Sequence, residues 1–498
     1  MKLTFHGHEE RYAVEQSLLN FFPQERPVYE GDENEGDSAA ELTLRCTAQT
    51  ARAETRIRYH GREATGSARV SLAEAGQDEL ELVRLRQRAL KLSFFRAAKE
   101  VLGVELPWGA LTGIRPGKLA ERYLLAGKTP QEVSRILADP YGVTAPRRRL
   151  AIESAQAGIA AGKTIREGDI SLYLGIPFCP SRCSYCSFVS NSVEKSFALI
   201  APYLTALHQE IDDAARMVRE LGLTVRSFYM GGGTPTTLSA EQMDELLRHL
   251  RESFDLSDCL EMTVEAGRPD TITREKLLAL KRNGVDRVSV NPQTMEDHVL
   301  AAIGRRHSSE DIESAMRLVH EVGFAHINMD LIAGLPEDTP AGFRRSLQRV
   351  LCMGADNITV HTLSLKKGSR ILLEGSRIPE AEEVGEMLDY ADPILRRADF
   401  RPYYLYRQKY QSGSFENVGW CRPGAENLYN IYIMEELMTI LSLGAGGSTK
   451  LVDAAAGHIE RAFNLKYPRE YIDRPEKLAE NHAAFRAFYA ARTAHKDN

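Results

Sequence analysis

The sequence predicts an α/β fold: a parallel sheet, open or curled toward a barrel, flanked by an N-terminal α+β domain and a mainly helical C-terminal domain. Three observations carry this expectation. Between residues 171 and 365, apolar runs of strand length alternate with segments of helical periodicity, the pattern of right-handed βαβ crossovers. Ahead of that stretch the periodicity is mixed, and beyond residue 381 it turns helical. With 498 residues the chain also exceeds one ordinary core, so domains are drawn at 1–165, 166–385 and 386–498.

In chain order, Leu42-Thr-Leu-Arg-Cys-Thr and Thr55-Arg-Ile-Arg-Tyr read as strands around an acidic, glycine-containing loop at 31–38. Residues 82–102 and 148–162 have helical periodicity. Leu111-Thr-Gly-Ile-Arg-Pro-Gly-Lys lacks the G-x4-G-K-[ST] spacing of a phosphate loop and reads as a turn. Arg147-Arg148-Arg149 reads as a solvated helix start or linker. In the central domain, runs at 171–176, 225–230, 260–265, 286–290, 326–332 and 357–363 predict six strands. Helical patterns at 196–221, 239–253, 273–283, 295–322 (broken) and 339–353 fill the gaps. The C-terminal stretch adds a tyrosine-rich segment at 403–410 and a glycine-rich turn at 444–447.

A hydrophobic fraction of 43% and a charged fraction of 27% are those of a soluble globular protein. The net charge of -6 gives no support for nucleic-acid binding. The start, MKLTFHGHEERY, lacks the apolar core of a signal peptide, and no run is apolar enough to insert in a bilayer. A cytoplasmic setting is therefore expected. Seven cysteines, scattered outside one triplet, fit its reducing conditions.

That triplet is Cys179, Cys183 and Cys186, spaced C-x3-C-x2-C directly after the first predicted strand. Three thiolates on one loop can hold three irons of a cubane cluster, which otherwise takes four cysteines. The remaining iron is then open, and an open metal position marks a catalytic site more often than a structural one. A structural zinc site is the alternative, although the spacing departs from the usual zinc pairs. An open iron is oxygen-sensitive, so anoxic conditions are expected.

Other strand ends carry polar groups, and in such folds chemistry sits beyond the C-terminal ends of the strands. The second strand ends in Met230-Gly231-Gly232-Gly233-Thr234-Pro235-Thr236. Its glycines serve either a tight turn or the close approach of a ligand to backbone N–H groups. The third ends at Glu265, the fourth at Asn291-Pro-Gln293, the fifth at Asp330 and the sixth at His361-Thr362, while Ile303-Gly-Arg305-Arg306-His307 follows the fourth. Singly, Asp330 reads equally as a helix cap and His361 as a core histidine. Jointly these residues suit a cofactor with an adenosine end and an amino-acid end.

With these motifs, residues 171–365 resemble the oxygen-independent coproporphyrinogen III oxidase family of radical S-adenosylmethionine (SAM) enzymes. Phe415-Glu-Asn-Val-Gly-Trp-Cys-Arg-Pro-Gly and Tyr429-Asn-Ile-Tyr-Ile-Met-Glu-Glu resemble its HemZ-type coproporphyrinogen dehydrogenase branch. The resemblance implies a radical SAM partial (β/α)6 TIM-like barrel and a HemN-like C-terminal domain. It implies a 4Fe–4S cluster on Cys179, Cys183 and Cys186. It also implies SAM, with room for a second molecule, contacted by Tyr173, Tyr185, Gly232, Gly233, Thr234, Glu265, Gln293, Arg305, Asp330 and Thr362. Among these Tyr173, Glu265 and Arg305 are the catalytic candidates.

The implied reaction is oxidative decarboxylation of two ring propionates of coproporphyrinogen III to vinyl groups, giving protoporphyrinogen IX. An electron donor such as flavodoxin or ferredoxin is implied with it. A substrate rich in carboxylates calls for arginines, and Arg182, Arg268 and Arg306 near the mouth are the candidates. Two departures from the family pattern stand out. Cys186 is followed by Ser187 and Phe188, where the decarboxylating oxidases carry a fourth cysteine and the haem chaperones carry Cys-x-Phe. The His-Asn-x-x-Tyr-Trp motif of the haem chaperones is missing, since no histidine occurs between Tyr410 and Val452. Haem delivery and radical chemistry on another tetrapyrrole (methyl transfer or haem-ring opening) therefore stand as alternatives.

Overall fold

The computed structural model describes all residues except 30–36, 77, 187–190, 193–195, 365–376, 409–413 and 497–498. The chain forms two compact units, one of residues 1–152 and 407–415, the other of 153–406 and 416–498. Most of the acidic loop expected at 31–38, together with Ser187 and Phe188, lies outside the described residues.

In the first unit, β1 (Lys2–His6) pairs parallel with β2 (Ala39–Cys46), which continues antiparallel into β3 (Thr50–Tyr59) and β4 (Arg62–Ser71). Residues along β3 and β4 alternate between buried and exposed, as a sheet with one covered face requires. Helix Glu79–Leu102 is the cover. Asp78 starts it by accepting hydrogen bonds from the Leu80 and Glu81 N–H groups. The turn expected at Leu111–Lys118 leads into helix Gly117–Leu125. The arginine run opens helix Ala145–Gly162 but is not simply solvated, because Arg147 is buried with its guanidinium 5.8 Å from the centre of the Phe415 ring.

The second unit is built on β5 (Asp169–Ile176), β8 (Thr224–Gly232), β9 (Glu261–Gly267), β10 (Arg287–Val290), β11 (His326–Ala333) and β12 (Asn357–Thr362). These six pair in parallel, each with the next in the chain, so the sheet winds in one direction as a barrel does. The expected six strands are these, and the helix expected broken within 295–322 is Asp297–Ala302 followed by Ser309–Val322. A short pair, β6 (Phe178–Cys179) with β7 (Asn191–Ser192), stands apart beyond the end of β5.

Side chains alternate across the wound sheet. Leu172, Leu174, Phe228, Met230, Val264, Met329, Leu331 and Ile358 are fully buried on the helix side. The intervening Tyr173, Tyr229, Glu265, Asp330 and His361 face the interior. Burying the first set drives the sheet against its helices and leaves the second set for chemistry.

The C-terminal part is not mainly helical. It supplies β13 (Arg401–Arg407), β14 (Glu416–Cys421), β15 (Thr439–Leu443), β16 (Ser448–Asp453) and β17 (His458–Phe463), interspersed with helices. Aromatic and β-branched runs such as Pro402-Tyr-Tyr-Leu-Tyr and Thr439-Ile-Leu favour strand. These strands extend the sheet past both edges of the six: β14 pairs antiparallel with β12, and β15 parallel with β5. The resulting order is β13-β14-β12-β11-β10-β9-β8-β5-β15-β16-β17.

Helix Leu428–Glu435 closes the N-terminal end of the barrel. Glu261, the first residue of β9, accepts hydrogen bonds from the Leu428 and Tyr429 N–H groups at 3.1 and 3.3 Å, a carboxylate at a helix N-terminus. Arg287, the first residue of β10, pairs with Glu261 at 3.3 Å and donates to the Ala425 and Glu426 carbonyls at 3.1 and 3.0 Å. The cysteine loop emerges at the opposite end, beyond β5. Among the described residues no helix is long and apolar enough to cross a membrane.

Candidate active site

The cysteine loop leaves β5 and is held from three sides. Cys179, on β6, is buried with its thiol 3.5 Å from the Thr234 hydroxyl. The Cys186 N–H donates to the Cys183 carbonyl at 3.1 Å, and the Ser184 N–H to the Ile303 carbonyl at 3.1 Å. Arg268 braces the loop, donating to the Ser181 carbonyl and hydroxyl at 3.1 and 2.9 Å. The same guanidinium grips Asp270 through two bonds of 3.0 and 2.9 Å. Burial alone would raise the Asp270 carboxyl, but His307 and Arg268 hold it well below the usual carboxylate range.

The glycine run makes close packing possible. A Cβ on Gly233 would lie 2.5 Å from the Phe178 carbonyl oxygen, a backbone atom that cannot move aside. The Gly233 and Thr234 N–H groups donate to the Ile176 and Phe178 carbonyls at 2.7 Å each. These two amides are thus taken by the chain itself, and what the run leaves for a ligand is room. Gly231 gives room of a second kind, since a Cβ there would come within 3.1 Å of the Glu265 carboxyl.

Inside the barrel, Glu265 accepts a hydrogen bond from the Tyr229 hydroxyl at 2.6 Å. Burial pushes its carboxyl up to about 7, with the Asp330 charge adding to the rise. Asp330 goes the other way: despite burial, His361 and the Asn328 amide at 2.8 Å hold its carboxyl below the usual value. His361 stands 3.7 Å from Asp330 and 3.5 Å from the Tyr406 hydroxyl. Tyr173, Tyr229 and Tyr429 stack beneath, with ring centres 4.5 Å apart for Tyr229 and Tyr429, and 6.3 and 6.2 Å for Tyr173 with each of them.

A second cluster joins the barrel to the cysteine loop. Arg305 is buried, donates to the Asn291 carbonyl at 2.7 Å and to the Tyr185 hydroxyl at 3.3 Å, and faces Cys183. Its Nε and the Asn291 Oδ1 are buried without a hydrogen-bond partner. Gln293 takes a left-handed backbone conformation, φ +69°, and is clamped to β11 by hydrogen bonds with Asp330 and Ile332 of 2.9 Å each. A non-glycine residue held there stores strain that functional sites often retain.

The structure therefore brings Tyr173, Glu265 and Asp330 into one interior group. It gathers Tyr185 and Arg305 with Cys183, and Gly232–Thr234 against Cys179. Thr362 is less available, since its hydroxyl donates to the Glu416 carbonyl at 2.8 Å. Of the arginines considered for substrate, Arg268 is buried and engaged with Asp270 and Ser181, whereas Arg182 is exposed. Sequence reading missed Tyr229, Tyr429 and the bracing role of Arg268. Tyr229 shares a strand face with Gly231 two residues on, which is a readable signal; the stacking of Tyr429 depends on a helix from the far end of the chain.

A 4Fe–4S cluster and SAM suit these residues by donor chemistry. Three thiols lie on one loop, buried Arg305 Nε and Asn291 Oδ1 lack partners beside it, and carboxylates and tyrosines line the chamber behind. Among the described residues no three His, Cys, Asp or Glu side chains are placed to share a single metal ion, a different requirement from a cubane, in which each thiolate takes its own iron.

Comparison with known proteins bears on the family and the fold. The radical SAM superfamily model matches residues 173–350. The chain is 34% identical over 483 residues to the oxygen-independent coproporphyrinogen-III oxidase-like protein HemZ of Bacillus subtilis, covering 96% of each. It is 35% identical over 314 residues to the heme chaperone HemW of the same organism, covering 61% of this chain and 75% of that one. The solved coproporphyrinogen III oxidase HemN of Escherichia coli, described as a radical SAM enzyme, shares the fold with a TM-score of 0.52 at 24% identity, over 65% of this chain and 72% of that one. By its near full-length match and its cysteine-loop barrel, the chain belongs to the HemZ-like branch of the radical SAM proteins.

Proposed function

We propose that the protein catalyses the oxygen-independent oxidative decarboxylation of coproporphyrinogen III, and so acts in porphyrin and haem formation in an anaerobic cytoplasm. The observation that carries this reading is the extent of the likeness to the coproporphyrinogen-III oxidase-like protein, 96% of the chain. When bound, a 4Fe–4S cluster with SAM supplies one-electron cleavage of the sulfonium and hence hydrogen abstraction from unactivated carbon.

The chain's own residues do the rest. Cys179, Cys183 and Cys186 are the cluster ligands, and Arg268 holds their loop in register. Arg305, with its free Nε, and Glu265, Gln293 and Asp330 bind the polar ends of one or two SAM molecules. With its carboxyl near 7, Glu265 is poised to change protonation around neutrality. The Tyr173–Tyr229–Tyr429 stack seals the lower chamber against water, which protects a reactive site from side reactions. The exposed Arg182 and Arg306 guide the propionates, and a flavodoxin- or ferredoxin-like protein supplies electrons.

A second reading, haem delivery, is favoured by the 35% identity to the heme chaperone and by Cys-x-Phe after the third cysteine. One experiment separates the two. The anaerobically reconstituted protein receives SAM, a reductant and coproporphyrinogen III, and products are followed by mass spectrometry. Successive loss of one and two CO2 with matching 5′-deoxyadenosine is the expected result. Stoichiometric haem binding with no SAM turnover would replace the decarboxylase with the chaperone, and deoxyadenosine without CO2 loss would point to another tetrapyrrole.

A further inference from the structure

The first unit holds a cavity of ≈320 Å³ between helix Glu79–Leu102, the turn after Ala110 and helix Gly117–Leu125. It includes the Leu111–Pro116 turn, which the barrel's chemistry leaves unused. The volume is that of a small-molecule site, and its charge is one-sided. Arg84 and Arg122 converge on a single carboxylate, Glu81, at 3.2 and 3.1 Å. Arg88 and Lys91 follow on the same helix face, and among the described residues neither has a carboxylate of its own. Arg88 lies 4.8 Å from the centre of the Tyr141 ring, and its buried Nε has no hydrogen-bond partner. Among the described residues Lys91 has neither hydrogen bond nor ion pair, and burial lowers its amine below the usual lysine range.

A half-buried cation with no carboxylate beside it is partly stripped of water without an ion pair in return, and replacing it with an apolar side chain is commonly stabilising. Two such cations in one cavity are accounted for when a ligand completes them. Apolar and aromatic walls come from Leu85, Leu119, Tyr123 and Tyr141, with Gln87 and Thr112 adding polar groups at their edge. A flat or apolar body fits between them while its anionic end reaches the two cations. We infer that this cavity is a binding site for a small molecule bearing a carboxylate or phosphate on a flat, apolar body, held by Arg88 and Lys91.

The test uses the full-length protein at low salt, titrated calorimetrically with phenylpropionate, phenyl phosphate and the uncharged phenylpropionamide. At least one anion is expected to bind saturably while the amide does not, and the tighter anion identifies the head group. Arg88→Met and Lys91→Met are each expected to weaken binding about tenfold or more, whereas Arg52→Met, on the exposed sheet face, leaves it unchanged. Lys91→Met is expected to melt no lower than the wild type, which separates lost binding from lost folding. Absence of binding by both anions, equal binding of the amide, or unaltered affinity in Arg88→Met and Lys91→Met would overturn the inference. So would a lower melting temperature for Lys91→Met, which would make the amine a structural group.

Discussion

Tyr229 and Glu265 form a buried hydrogen-bonded pair inside the barrel. The tyrosine hydroxyl donates at 2.6 Å and opposes the burial that carries the carboxyl to about 7. Tyr229→Phe removes that donor, so the carboxyl rises further and is neutral at pH 7. SAM affinity, measured by equilibrium dialysis, is expected to fall about threefold to tenfold at pH 7 and to recover by pH 8.5. A loss that is the same at every pH would make Tyr229 merely a packing residue. Arg268 makes a different prediction. Arg268→Leu leaves Ser181 without its donor and Asp270 with His307 alone, at a cost of about 1–3 kcal/mol, and lets the cysteine loop drift. Iron retention in the presence of a chelator is expected to shorten markedly while the barrel still folds by circular dichroism. Asp330, Glu265 and Arg305 were legible in the sequence because each is a charged residue set into the later half of an apolar strand or beside a glycine. Arg268 was legible only as a cation near the mouth, because its partners Asp270 and Ser181 are joined to it by the fold.

At the scale of elements, the end of β8 decides how near the cysteine loop can come. The Gly233 position packs against Phe178 backbone, so Gly233→Ala must push β6 away. A loss of about 1–3 kcal/mol is expected from overpacking, read as a lower melting temperature together with reduced cluster loading. Unchanged loading would show that the loop is adaptable. The six parallel strands were readable because each is an apolar run followed by a helical period. The C-terminal strands were not, because β14 and β15 gain their burial by docking on β12 and β5, strands about sixty and 270 residues earlier, and isolated runs such as Glu416–Cys421 carry little periodic signal. Helix Leu428–Glu435 likewise owes its place to Glu261 and Arg287 on other strands.

For the whole molecule, buried carboxylates set the pH response. Burial raises both Glu210 and Glu265 to about 7, although Glu210 accepts from the Gly444 N–H at 2.7 Å and from Asn464 at 3.0 Å. The folded chain therefore holds protons that the unfolded chain releases from about pH 4.5 upward. Stability contributed by these groups is fully present below that pH and is lost as pH rises through about 7, by about 3 kcal/mol per group. The depressed carboxyls of Asp270 and Asp330 act only at more acid pH, outside this window, while His8, His208, His307 and His482, whose imidazoles burial lowers, offset part of the fall as pH rises toward 6.5. The melting temperature is expected to fall between pH 5.5 and 8, and the Glu210→Gln, Glu265→Gln double variant to flatten that fall. A profile that rises over the same interval would contradict the assignment.

The central claim is that the loop after β5 and the strand ends behind it form one site for an open-iron cluster and SAM. It is tested most directly by electron paramagnetic resonance of the anaerobically reconstituted, reduced protein as SAM is added. The account predicts one cubane cluster per chain whose spectrum shifts on SAM addition, with the cluster lost in Cys183→Ser and its response to SAM weakened in Glu265→Gln. A fully loaded cluster whose spectrum ignores SAM, or one that survives in Cys183→Ser with its SAM response intact, would contradict it.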